Sequence, residues 1–448
     1  MPVASVELHS TTSYATAMGK LRSHSFGFIL LLGSLVTLAS FATDMGLPVL
    51  GATAESLGVT PGTAALTLSV FMAGFALGPL LFGPLSDGYG RRPILLTAIS
   101  MFALFGGLAS FSRSLNALLV WRLLMGASAG ASQVTVIAMV RDLFTGTEAR
   151  VKQSYVNLAA GVAPVIAPTV GVGIAALFGS WRAIYGVLAV GGTVLATTAA
   201  FQLPESVRHR SAHTIRTALA SYKKVLSHPV TFGYVIVIAL NFGCLFAYVS
   251  GSSLVLIQIL HVSRRAYGAL FAVTSIGLMI GALTSARLSR RGVTHARLIS
   301  WGLGAIVASA LVLLAVTIAG WIHVWSLVPI AFVGFVGQGV VRPNATQGAL
   351  EPMASMAGLA SAVMSGVQTL TGALASALVA ELFDGRSAYA MTGMMAACGM
   401  CAGGVYVAMV RPAERRAHAE MVAGVAGLAP GLAFRSPQSV TTHGEPHE

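Results

Sequence analysis

The chain reads as an alternation of long apolar runs and short polar breaks. Twelve runs approach the roughly 20 residues needed to cross a hydrocarbon core. They lie at 26–50, 62–85, 93–112, 115–140, 154–178, 182–203, 229–253, 266–287, 296–318, 321–344, 356–382 and 387–410. Small residues lower the hydropathy of the runs at 266–287 and 356–382. None shows the two-residue alternation of a membrane-barrel strand. The pattern predicts an all-α integral membrane protein with twelve transmembrane helices.

Composition agrees. Of 448 residues, 55% are hydrophobic and 9% charged, against roughly 25% charged in a soluble domain. Mean hydropathy is +0.80. A water-soluble fold is excluded. Fifty glycines suit helices that approach closely in lipid. A long polar segment before the first run, with no clear small-residue cleavage pattern after it, argues against a cleaved signal peptide. Cys398 and Cys401 have the spacing of a metal or redox pair. No second pair or nearby histidine supports them, and Cys244 stands alone, so all three read as packing residues.

The net charge of +13 takes its meaning from its distribution. With both termini in the cytoplasm, 21 of the 27 lysines and arginines fall on the cytoplasmic side, Arg342 among them at the end of the tenth run. Five fall outside: Arg113, Arg182, Arg264, Arg265 and Arg386. That asymmetry is the positive-inside signature, so no nucleic-acid partner is needed to explain the charge. The basic stretch Pro204 to Pro229 divides the runs six and six. The predicted organisation is a cytoplasmic tail (1–25), an N-terminal six-helix half (26–203), a basic linker that can touch anionic lipid (204–228), a C-terminal six-helix half (229–410) and a second cytoplasmic tail (411–448).

Two charges stand inside the runs. Asp44 is the only acidic residue well inside a span, and Arg122 the only base. Each costs about 2.5–3.5 kcal/mol at a helix centre, so such residues are usually functional. At about 1.5 Å per residue both lie about 10 Å below the outer boundary, which predicts pairing or mutual influence through water. An arginine snorkelling outward is the structural alternative for Arg122.

The polar breaks carry motifs. Gly83-Pro84-Leu85-Ser86-Asp87-Gly88-Tyr89-Gly90-Arg91-Arg92-Pro93 reads as a tight turn between the second and third runs. Leu288-Ser289 echoes Leu85-Ser86 at an offset of 203 residues, as a parallel repeat would, but Arg290 replaces the acidic residue. In the fourth run Arg122 precedes Gly126 by four positions. In the fifth, Pro164 and Pro168 share a face with Gly171 and predict a kink.

These motifs resemble those of the major facilitator superfamily. The stretches Ala42 to Pro48, Val140 to Phe144, Ala163 to Gly171, Ser180 to Tyr185, Leu203 to Ser206 and Pro343 to Ala345 resemble the Bcr/CflA branch of bacterial multidrug exporters. The resemblance implies two pseudo-symmetric halves and a gating role for Gly83, Asp87, Gly90, Arg91 and Arg92 through contacts between halves. It implies an antiporter motif around Pro164, Pro168 and Gly171, in which Ala163 and Ala167 stand where glycine is usual. Gly46 stands where the branch often has tyrosine.

The expected function is a proton-coupled antiporter in the bacterial inner membrane, exporting small amphipathic drugs of the phenicol or bicyclomycin class. Asp44 and Arg122 carry the coupling. Gln133, Asn241, Phe242, Phe246, Tyr248, Gln338 and Gln368 are candidates for the central cavity, with ordinary packing as the alternative for each. The resemblance implies a functional monomer whose partners are drug, protons and lipid, with no cofactor beyond the proton gradient. A symporter or facilitator for a small metabolite is the alternative. No Walker loop, metal spacing or histidine–carboxylate cluster supports an enzyme.

Overall fold

The computed structural model describes residues 25–206 and 225–416. The expected tails and most of the basic linker lie outside the described residues. Twelve helices are long and apolar enough to cross a membrane, and no strand occurs among the described residues. Numbered by span, α1 is Phe26–Asp44, continued by a 3₁₀ turn Leu47–Val49 and a short helix Leu50–Leu57. Then come α2 Pro61–Tyr89, α3 Arg91–Ser110, α4 Leu115–Leu143, α5 Gly146–Phe178 and α6 Arg182–Gln202. The second set is α7 Pro229–Ser253, α8 Arg264–Arg290, α9 His295–Ile318, α10 Val324–Leu350, α11 Ala357–Leu382 and α12 Tyr389–Val405.

Several helices outrun their apolar cores. The expected turn from Gly83 to Pro93 is mostly helix. α2 continues to Tyr89, and only Gly90, at φ 111°, interrupts the path into α3. α5 begins eight residues before its apolar run, and α10 runs six beyond. The physical reason is that backbone hydrogen bonding continues after the side chains turn polar. Arg342, counted from sequence with the cytoplasmic residues, therefore lies inside α10.

Glycine sets the closest crossings. α2 and α4 meet along Gly74 and Gly78 on one side and Gly126 and Gly130 on the other. A methyl group added at Gly126 would lie 2.0 Å from the Phe71 carbonyl oxygen, and one at Gly74 2.0 Å from that of Leu123. Gly281 and Gly339 make the matching approach of α8 to α10. Without a hydrophobic drive between helices in lipid, such backbone-to-backbone packing is a main source of association.

The two sets of six meet along two seams, α2 with α11 and α5 with α8. The α2–α11 seam runs the length of the bundle. Ser69 donates to the Ser376 hydroxyl at 2.9 Å, and Leu80 lies beside Gly366. The α5–α8 seam differs from end to end. Gly268 packs on Thr169 near one end. Toward the other, Ala282 and Ala286 on the same stripe of α8 are exposed, as are Val151, Tyr155, Leu158 and Val162 on the facing stripe of α5. The halves therefore enclose a cleft that opens toward the end carrying Arg91, Arg141 and Arg287, here called the basic face. Contacts of Gly51 with Gln258 and of Gly62 with Ala380 close the opposite face.

Gly126→Ala should lower the thermal midpoint of the purified protein by several degrees, since overpacking costs about 1–3 kcal/mol. Gly191→Ala, at a glycine with open space around it, should not. Unfolding in detergent micelles measures both.

Candidate functional site

Asp44 ends α1 near the closed face. It is buried, at 5% exposure, next to Thr43, whose hydroxyl donates to the Ser40 carbonyl at 2.8 Å. Three helices converge there. Gly171 of α5 packs so closely that an added methyl would sit 2.1 Å from the Met45 carbonyl oxygen. Ala167 and Ala163, one and two turns earlier on the same stripe of α5, are also buried. The alanines that depart from the usual antiporter motif thus still leave room for α1. α5 remains helical through Pro164 and Pro168. From α8, the buried Tyr267 comes within electrostatic reach of Asp44. Asp44 therefore sits where the two halves close on each other.

Arg122 is also buried, at 2% exposure. Its guanidinium donates from Nη1 to the Ala42 carbonyl at 2.9 Å and from Nε to the Thr67 carbonyl at 3.1 Å. It lies over the Phe71 ring at 4.3 Å and near Tyr185 at 5.6 Å. It borders a small cavity between α1, α2, α4 and α6, walled also by Trp181 and Ile184. The alternative of outward snorkelling does not describe this side chain.

The expected Asp44–Arg122 pair is corrected in one respect. Arg122 reaches α1 only two residues from Asp44, yet no ion pair joins them among the described residues. Two residues correspond to about 200° around a helix. Arg122 takes the backbone on one side of α1 while the Asp44 carboxyl faces elsewhere. Any influence of one charge on the other passes through the end of α1.

The gating motif forms a network at the basic face. Arg91 bonds Asp87 at 2.5 Å, Asp142 at 2.9 Å and the Ser86 hydroxyl at 2.7 Å. The Glu205 carboxylate accepts from the backbone N–H groups of Arg91 and Arg92, capping α3 from the end of α6. Glycine suits position 90 because its φ of 111° is one that other residues rarely adopt. Arg92 donates to the Ala200 carbonyl, and Gly83 accepts from Ser86. Among the described residues, the bonds of Arg91, Arg92 and Ser86 lie within the first half. Asp142 and Glu205 were not singled out for this role; both are acids beside spans on the face where Arg91 lies.

The cavity candidates scatter. Tyr248 is fully buried between Phe271 and Phe335 and donates to Thr274, so it belongs to the core of the second half rather than to a cavity wall. Gln338 is buried. Asn241 is buried, and its Oδ1 has no hydrogen-bond partner among the described residues. Phe242 and Phe246 pack ring to ring at 4.7 Å, with Gly372 of α11 against Phe242. Gln133 and Gln368 are half-buried. Cys398 is buried and Cys401 exposed. Asp384 lies in the loop after α11, where bonds from the Ser387 hydroxyl and from backbone N–H groups hold its carboxyl below the usual range.

Residues 30–376 match the profile of the Major Facilitator Superfamily. A bicyclomycin resistance protein homolog of Haemophilus influenzae is 30% identical, over 80% of this chain and 90% of its own. A chloramphenicol resistance protein of Pseudomonas aeruginosa is 31% identical, over 75% of this chain and 79% of its own. Among solved structures, a peptide transporter POT in complex with sulfate superposes with a TM-score of 0.68, covering 88% of this chain and 97% of that one, at 14% identity.

Arg122→Ala should destabilise the protein strongly, because hydrogen bonds to a charged donor contribute about 1.5–3 kcal/mol and two buried carbonyls lose theirs. Arg122→Lys keeps the charge but loses the fork and should fall between. Thermal unfolding of the purified variants ranks them.

Proposed function

The chain belongs to the major facilitator superfamily, and from that premise we propose that it is a proton-coupled antiporter exporting small amphipathic drugs. It is a multi-pass protein of the bacterial inner membrane. Relatives named for bicyclomycin and chloramphenicol resistance support drug efflux and make the phenicol and bicyclomycin classes the first substrates to try. The positive-inside rule assigns the basic face to the cytoplasm. The described conformation is then inward-facing.

The observation that carries the reading is the position of Asp44. A carboxyl buried where α1, α5 and α8 close has no ion-pair partner among the described residues. An uncompensated buried charge is costly, so this closed seam matches Asp44 carrying its proton. Opening the seam to the outside would expose the carboxyl to periplasmic water. Its charge state is thereby tied to which face is open, which is what coupling requires.

The cycle follows. In the outward-open state Asp44 takes a proton from the periplasm. The halves then rock, closing α5 on α8 at the outer end and opening the cleft to the cytoplasm. Drug entering the cleft favours release of the proton, and the loaded protein returns outward. Arg122 holds the end of α1, so a change at Asp44 moves α1 against α2 and α4. One chain builds the whole pathway, which supports a functional monomer.

Asp44→Asn, expressed and folded as wild type, should abolish proton-driven uptake of chloramphenicol into everted vesicles and drug-induced proton release. Retention of both at wild-type rates would remove Asp44 from the coupling.

A further inference from the structure

Arg342 lies on α10, eleven residues before the end of its span at Met353. It is exposed. Its direction shows to what. Val333, 51% exposed, marks the lipid-facing stripe of α10 with Trp325 and Pro329. Arg342 follows Val333 by nine residues, half a turn around a helix of 3.6 residues per turn. It shares its face with Phe335 and Gln338, which are buried, and Phe335 packs edge-on against Tyr248 of α7 at 4.9 Å. The guanidinium therefore meets solvent on the inward side of α10, within the cleft.

Unlike Arg122, it has no hydrogen-bond or ion-pair partner among the described residues. Asp87 and Asp142 bind Arg91, Glu205 caps α3, and Glu414 engages Tyr234 and His295. Glu351, at the end of α10, makes no ion pair with Arg342 among the described residues. Asp44 lies toward the closed face. An always-charged group with five donors in a planar fork is thus left open in a cleft of low polarity. Tyr155, Leu158 and Val162, on the stripe of α5 that faces α8, offer an exposed, mostly apolar surface. At the mouth, Arg141, Arg287 and Arg290 are exposed and would draw anions inward.

We propose that Arg342 is a specificity-determining residue that holds the acidic group of an amphipathic organic anion, with the α5 face receiving its apolar body. The transported drugs then include carboxylates, sulfonates or phosphates that a neutral cleft would reject. This rests on the export reading above.

Fusidic acid and its methyl ester share one body and differ in charge. Binding of each to the purified protein in phosphatidylcholine nanodiscs is read by tryptophan fluorescence, and transport of each by uptake into everted vesicles. The wild-type protein should prefer the acid roughly 10- to 100-fold, the range of a charge-assisted hydrogen bond. R342Q should erase the preference and R342K keep part of it. A preference surviving in R342Q, a wild-type preference for the ester, or binding of neither compound overturns the proposal. Should R342Q misfold, the wild-type acid preference must shrink with rising salt, and a salt-independent preference overturns it. In phosphatidylglycerol nanodiscs the acid must still bind; if the lipid abolishes its binding, Arg342 is a lipid site and the proposal fails. Arg342-dependent binding without uptake of either compound would overturn export alone. Proton-driven uptake of both without charge preference would overturn only the role of Arg342.

Discussion

A guanidinium held by two backbone carbonyls organises the first half of this transporter. Arg122 reaches from α4 to the Ala42 carbonyl of α1 and the Thr67 carbonyl of α2. It can do so because glycines at 74, 78, 126 and 130 bring α2 and α4 to backbone contact. In lipid a buried arginine must satisfy its donors internally. The same bonds that meet that requirement fix the end of α1, and with it the position of Asp44. Phe71 and Tyr185 complete the enclosure around the charge.

The second constraint is asymmetry between the seams. α2 and α11 stay together along their length, while α5 and α8 part toward the basic face. Asp44 lies at the closed end of the parting seam, beside Gly171 and within reach of Tyr267. At the other end, the described bonds of Arg91 lie within the first half. The carboxyl and the arginine cluster thus mark opposite ends of the bundle. Arg342 adds chemistry to the space between them.

Much of this was legible in the chain. Twelve apolar runs, their alternating basic flanks and the polar break near the middle give the span number and the grouping into halves. Asp44 and Arg122 stood out because charge in hydrocarbon is costly, and the glycine spacing in α4 pointed to close packing. Less legible were distances and directions. Asp44 and Arg122 share a depth, yet the turn of α1 between Ala42 and Asp44 keeps them from pairing. Tyr248 had the right residue type and span for a cavity but faces the core. Arg342 read as a loop residue because a hydropathy run ends where side chains turn polar, while the helix does not.

The sequence by itself thus determined which segments cross the membrane and which charged residues are costly to place there. Those properties depend on transfer free energy, which is local and roughly additive along the chain. Only the tertiary structure decided which face each costly residue presents and whether a neighbour satisfies it. It gave Arg122 two carbonyls, closed Asp44 between α5 and α8, and left Arg342 exposed and without a partner among the described residues. Those outcomes depend on helix rotation and on contacts between segments far apart in the chain, and no local pattern encodes them.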